Sequence, residues 1–141
     1  MGIGLALLTV ILARQVGFDR DRVFYTTIVI VVAHYYVLFA VMGGSTRALI
    51  VESVVMTAFV AVAVMGFKFN VWVIVAALAA HGIFDFVHGY LVTNPGVPAW
   101  WPPFCLAYDV TVAAALAWFT IRRGRDTTER VRPPTPDVRS L

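Results

Sequence analysis

Residues 81–109 read HGIFDFVHGYLVTNPGVPAWWPPFCLAYD and carry three ionisable side chains inside an apolar segment. His81, Asp85 and His88 are spaced by four and then three residues, which puts them on one face of a helix. A stiff segment rich in proline and tryptophan follows, and Asp109 then lies inside the next apolar run. Ionisable groups in apolar spans are costly, so they are usually paired, metal-bound or functional. The stretch therefore predicts a polar site between two helices.

The composition of the whole chain is that of an integral membrane protein. It has 141 residues, of which 60% are hydrophobic and 13% are charged. One domain of this size could not bury so much apolar surface in water, so we expect the bilayer to be its solvent. The single cysteine, Cys105, excludes a disulfide within one chain and an all-cysteine metal site.

Five apolar runs predict an all-α, polytopic bundle. Because lipid offers the backbone no hydrogen-bond partner, each run is expected to be a helix. The predicted spans are residues 2–17, 23–42, 46–67, 71–92 and 104–121. Together they form one transmembrane domain, residues 1–121, and residues 122–141 follow as a basic tail that is expected to be disordered. The first span carries Arg14 and Gln15 in its last turn, so a four-span bundle is the alternative.

The distribution of basic residues predicts the orientation of the bundle. With the N-terminus outside and the C-terminus in the cytoplasm, all of the 11 Lys and Arg residues except Arg47 lie on the inner side. We expect the arginines of the tail to meet anionic lipids there. The net charge is +3, but the basic residues lie at the ends of the spans and in the tail. This distribution reflects membrane topology and does not indicate a nucleic-acid-binding protein.

In this topology, the ionisable side chains within the spans share one layer of the bilayer. Their heights follow from a rise of about 1.5 Å per residue from the middle of each span. His34 and His81 fall near the midplane, and the others fall between the midplane and the outer surface. The group comprises His34, Glu52, His81, Asp85, His88 and Asp109.

Imidazole and carboxylate groups in one layer are the ligand types of zinc, iron or manganese. The predicted metal ligands are His81, Asp85, His88 and His34. Asp109 and Glu52 are predicted to move protons during catalysis.

The same residues also permit interpretations without a metal. The cluster could be a polar network or proton relay, or a set of ion pairs that only stabilise the bundle. His34 could be a hydrogen-bonded packing residue, and Glu52 could reach the interface and pair with Arg47.

Two motifs carry a resemblance to known membrane proteins. The HxxxDxxH pattern at residues 81–88, followed by WWPPFCxxYD at residues 100–109, resembles small bacterial integral membrane proteins of unknown function. This resemblance implies a bacterial cytoplasmic membrane and brings no activity with it. In its ligand types the chain is also similar to the membrane zinc hydrolases that include alkaline ceramidases and adiponectin-type receptors. Those have seven spans and an HxxxH pair, whose second position is Asp85 here.

These observations lead to one functional hypothesis and two rivals. The first is a membrane-embedded, metal-dependent hydrolase or oxidoreductase that uses zinc or iron. Its substrate would be a lipid or another apolar molecule in the outer half of the bilayer. The rivals are a metal-ion or proton transport protein and an accessory subunit of a larger membrane complex, and a homo-oligomer is compatible with each.

Overall fold

The computed structural model describes residues 1–131, with side chains through residue 126. Over that range the chain is helical with short connections, which confirms the all-α prediction. A 3₁₀ turn at Phe18–Arg20 joins the first two helices. The helices are α1 (Gly2–Val16), α2 (Arg22–Met42), α3 (Thr46–Lys68), α4 (Val71–Leu91) and α5 (Trp101–Val131).

Side-chain caps set where three of the helices begin. Asp21, Ser45 and Asn70 precede α2, α3 and α4, and each accepts a hydrogen bond from a backbone N–H in the first helical turn. Such caps satisfy donors that have no partner within the helix. The short polar breaks between the apolar runs therefore both end one helix and start the next.

The fifth helix begins earlier than the sequence predicts. It starts at Trp101, so Pro102 and Pro103 lie in its first turn. Proline is tolerated there because the first backbone N–H groups of a helix have no intrahelical acceptor. The helix continues to Val131 and includes the first part of the predicted tail. Residues 132–141 of that tail lie outside the described range.

Four helices are long and apolar enough to cross a membrane, and this indicates membrane integration. They are α2 to α5, whereas α1 has 15 residues and a length of about 22 Å. That is shorter than the roughly 30 Å of a bilayer core. The fifth span and the orientation of the termini therefore remain predictions.

Helix α4 occupies the centre of the bundle. It packs against α5, α3 and α2, while α1 packs against α5. Large apolar side chains cover the outward faces, for example Ile50, Val54, Ile83 and Phe86. Such a surface suits lipid and would be an aggregation hazard in water.

The interior is divided into an apolar part and a polar part. Toward the arginine-rich end the core is apolar and includes Val29, Ile74, Leu78 and Leu116. Toward the other end it contains the ionisable groups. Residues 92–100, here called the Pro/Trp loop, cover that end. Gly96 of this loop lies so close to the end of α2 that a Cβ atom would collide with the Phe39 carbonyl.

Candidate functional site

One face of α4 carries the ionisable residues of the site. His81, Asp85 and His88 are all buried, with exposed fractions of 1%, 1% and 2%. Their spacing by four and three residues keeps them on the face that packs toward the other helices. The prediction that these three share one buried helix face is therefore met in the structure.

His81 lies between two carboxylates. Its Nδ1 atom is 2.7 Å from Oδ2 of Asp109 on α5 and 3.5 Å from Oδ2 of Asp85 one turn away. One nitrogen of His81, one oxygen of Asp85 and one oxygen of Asp109 lie within 4.8 Å of one another. This buried group of one imidazole and two carboxylates could hold a metal ion.

Tyr36 on α2 connects the two halves of the site. Its hydroxyl donates a 2.6 Å hydrogen bond to Oδ1 of Asp85. Its ring also stacks on the imidazole of His88, with ring centroids 4.0 Å apart and planes inclined by 19°. The bond leaves Oδ2 of Asp85 facing His81, so Tyr36 orients the carboxylate toward the candidate metal group.

The second half of the site is a pair between α3 and α4. Nε2 of His88 is 2.7 Å from Oε1 of Glu52, which is 1% exposed. The same oxygen accepts a 3.1 Å hydrogen bond from the side-chain amide of Asn94 in the Pro/Trp loop. Asn94 also donates to the Tyr36 backbone carbonyl at 3.0 Å. The loop is thus attached directly to the site.

Three carboxylate oxygens of the site lack a hydrogen-bond partner among the described residues. They are Oε2 of Glu52, Oδ2 of Asp85 and Oδ1 of Asp109, and each is buried. A buried polar atom without a hydrogen-bond partner carries a desolvation cost. Such oxygens are therefore expected to meet a cation or a proton donor.

Aromatic rings surround both imidazoles. Phe59 on α3 packs edge-on against His81 with centroids 4.9 Å apart, and Phe84 packs edge-on against His88 at 5.4 Å. This packing keeps the surroundings of the polar groups apolar, so the charges inside are poorly screened. Electrostatic interactions at the site are correspondingly strong.

An apolar cleft of about 420 Å³ opens on the side of the bundle. It lies between α1, α2 and α5, and Ile28, Val31 and Phe104 are among its lining residues. Cys105, which is buried, also lines the cleft and lies about one helical turn before Asp109 on α5. The cleft and the candidate metal group are therefore neighbours along α5.

The structure brings together five of the six residues that the sequence singled out. Glu52, His81, Asp85, His88 and Asp109 form the buried network.

His34 lies apart from this network. Its side chain is exposed on the outside of α2, and Nδ1 makes a 2.6 Å hydrogen bond to the Ile30 carbonyl. Nothing in the geometry brings it to the ligand group. It is hydrogen-bonded, as the alternative of a packing residue expects, but it is exposed and does not pack in the core. Likewise, the described contacts of Glu52 are with His88 and Asn94 and not with Arg47.

Two residues of the site were not identified from the sequence. Tyr36 adjoins Tyr35 in an aromatic stretch, where it looks like a packing residue. Asn94 lies in a turn with Pro95 and Gly96, where its side chain accepts from the Gly96 N–H at 3.2 Å. The one signal for Asn94 is an amide side chain at the end of a span, two residues after the last apolar residue.

No protein-family model, curated protein or solved structure matches this chain.

Proposed function

We propose that this chain is a membrane-embedded, metal-dependent enzyme that acts on a lipid or another apolar substrate. The observation that carries the proposal is the buried group of His81, Asp85 and Asp109, whose two carboxylates each keep an unpartnered oxygen. A hydrolase that uses zinc is the first form of the proposal, and an oxidoreductase that uses iron is the second. Both metals accept mixed imidazole and carboxylate ligands.

The charge balance of the site supports a bound cation. The network holds the carboxylates of Glu52, Asp85 and Asp109 and the imidazoles of His81 and His88, all buried. If both imidazoles carried a proton, three negative charges would still face two positive ones. The described ion pairs to these carboxylates come from histidine and not from lysine or arginine. With His81 neutral as a ligand and His88 protonated, a divalent cation held by Asp85 and Asp109 would make the network neutral.

The residues divide into a ligand group and a proton-moving group. The cation would be held by His81, Asp85 and Asp109. The Tyr36 hydroxyl orients Asp85 for this role. Asp109 is thus proposed as a ligand, whereas the spacing alone suggested a proton carrier. In the hydrolytic form a bound zinc ion supplies a nucleophilic water at neutral pH. Glu52 and His88 form the proposed acid–base pair, since they share a 2.7 Å hydrogen bond beside the ligand group.

The cleft supports an apolar substrate that enters sideways from the bilayer. Its walls are mostly apolar, and its lining residue Cys105 lies about one turn of α5 from Asp109 of the ligand group. In this proposal the chain of a lipid lies along α2 in the cleft, with its polar group directed toward the carboxylates. The site also lies at the end of the bundle opposite the Arg123–Asp19 ion pair, and by the positive-inside rule this favours the outer half of the membrane.

Metal analysis of purified protein tests the proposal. The full chain, prepared in detergent without chelators, is expected to contain about one transition-metal ion per site. His81→Ala and Asp85→Asn are expected to lose it. His34→Ala is the matched control, because it removes an exposed histidine of the same protein. Two results would contradict the proposal. One is that wild-type protein binds no metal after incubation with zinc and with iron, and the other is that His34→Ala loses its metal.

A second assay separates catalysis from transport. Metal-loaded protein in vesicles of mixed lipids is expected to yield a new lipid product that is absent with Glu52→Gln. Ion flux across the vesicles without a product would instead favour a transport protein. The apolar core on the arginine-rich side, including Leu78 and Leu116, opposes a through-path within one chain.

A further inference from the structure

A second cavity lies at the opposite end of the bundle from the candidate metal group. Its volume is about 160 Å³, and it is formed by the segment before α2, the start of α4 and the later part of α5. Its lining includes Arg20, Arg22, Tyr25, Val71 and Arg123. From this arrangement of arginines and an unpartnered buried hydroxyl, we propose that the cavity binds a phosphate group. The carrier is either a lipid headgroup or a soluble anion.

Tyr25 is the observation that points to a ligand. It is 1% exposed, and its hydroxyl has no hydrogen-bond partner among residues 1–126. A buried hydroxyl normally finds an acceptor, because leaving it without one carries a desolvation cost. Since Tyr25 lines the cavity, an anion there would supply the acceptor. The ring itself is held in the apolar core, so the hydroxyl has a fixed position.

The charges around the cavity favour an anion. Three arginines and two aspartates line it, which leaves an excess of one positive charge. Both aspartates already have partners. Asp19 pairs with Arg123 at 2.8 Å, and Asp21 accepts from the Val23 N–H at 2.9 Å.

Arg22, which also lines this cavity, has a described hydrogen bond to the backbone. The guanidinium of Arg22 donates to the Phe67 carbonyl at 3.4 Å, which is a long bond to a neutral group. The positive charge of Arg22 is therefore available to a phosphate. Arginine suits this role, since its planar donors match phosphate oxygens in pairs.

Two helices begin at the cavity. Arg22 is the first residue of α2, and Val71 is the first residue of α4; both line it. The N-terminus of a helix carries a partial positive charge, which stabilises a nearby anion, although Asp21 and Asn70 already accept from one N–H group of each helix. These two ends add to the arginines and the Tyr25 hydroxyl, so independent features converge on one small space.

This inference is separate from the proposed enzymatic function. It assigns a defined cavity at the arginine-rich end, distinct from the expected surface attraction between the tail and anionic lipids. A phosphate held there would link α2, α4 and α5 at the end remote from the candidate metal group. Its test does not require activity or a metal.

Lipid binding by the full chain in dodecyl maltoside tests the proposal. Phosphatidic acid is titrated and bound lipid is counted by native mass spectrometry, with diacylglycerol as the phosphate-free control. Inorganic phosphate is titrated in a parallel arm. Saturable binding of phosphatidic acid that phosphate does not displace identifies a lipid headgroup. Displacement or direct binding by inorganic phosphate identifies a soluble anion, and binding of neither probe overturns the proposal.

Variants connect the binding to the cavity. Tyr25→Phe removes one hydrogen bond to a charged group and is expected to weaken binding about tenfold without disturbing the core. Arg22→Gln is expected to weaken it further. Arg125→Gln is the matched control, because Arg125 is exposed at the same end and does not line the cavity. Wild-type affinity in Tyr25→Phe, or equal losses in Arg22→Gln and Arg125→Gln, overturns the proposal.

Discussion

The Tyr36 hydroxyl on α2 donates a 2.6 Å hydrogen bond to Asp85 on α4, and both side chains are buried. This bond crosses between helices that are not neighbours in sequence. It fixes one carboxylate oxygen and leaves the other facing His81. A phenol in this position acts on the site without contacting a substrate, and its removal gives a sharp test of the arrangement.

Tyr36→Phe is expected to weaken metal binding roughly 10- to 100-fold, because Asp85 loses the partner that orients it. The ring and its stacking on His88 are retained, so the fold should persist. Competition with a metal-chelating dye measures the affinity. Tyr35→Phe is the control, as its hydroxyl makes no described bond to the ligand group. Equal affinities for Tyr36→Phe and wild type would show that the Tyr36 hydrogen bond does not position Asp85 for metal binding.

Asp109→Asn is expected to make the Tm of the protein insensitive to a metal chelator. A bound ion stabilises the native state by about 2.7 kcal/mol at 100 times its Kd, so EDTA should lower the Tm of the wild-type protein. The variant has lost a ligand oxygen and one buried charge. Its Tm should not respond to EDTA and should exceed that of the chelated wild type. Thermal unfolding in detergent measures both values, and an EDTA response in the variant would exclude Asp109 from the ligand group.

Gly96→Ala is expected to destabilise the Pro/Trp loop by about 1–3 kcal/mol, because the new methyl group would collide with the Phe39 carbonyl. The loop should then cleave faster in limited proteolysis. Gly89→Ala provides the control, since a Cβ atom there meets nothing within 4 Å. In a helix that change is expected to be neutral or to stabilise by up to about 1 kcal/mol. Similar proteolysis of both variants would show that the loop is not packed on α2.

Val31→Trp is expected to fill part of the lateral cleft and to reduce turnover of an apolar substrate at least tenfold. Metal content should not change, because Val31 is outside the ligand group. Val54→Trp, on the lipid-facing side of α3, adds the same side chain away from the cleft and should leave turnover unchanged. If both variants retain full turnover in the vesicle assay, the substrate does not enter through this cleft.

Much of the fold follows from the sequence because lipid forces each apolar run to satisfy its own backbone hydrogen bonds. The breaks at Asp21, Ser45 and Asn70 then mark the helix starts. The start of α5 is the exception. The sequence predicts it at residue 104, because Pro102 and Pro103 suggest a loop, but proline also fits the first turn of a helix, and α5 begins at Trp101.

Within α4, helical spacing alone determined that His81, Asp85 and His88 share one face, because residues three and four apart always do. Which residues of the other helices and of the loop contact that face depends on the tertiary structure. His34 and Tyr36 are two residues apart, which is about 200° around α2. The rotation of α2 against α4 therefore decides which of them enters the site. Packing turns Tyr36 inward and His34 outward, and it folds the loop back so that Asn94 meets Glu52.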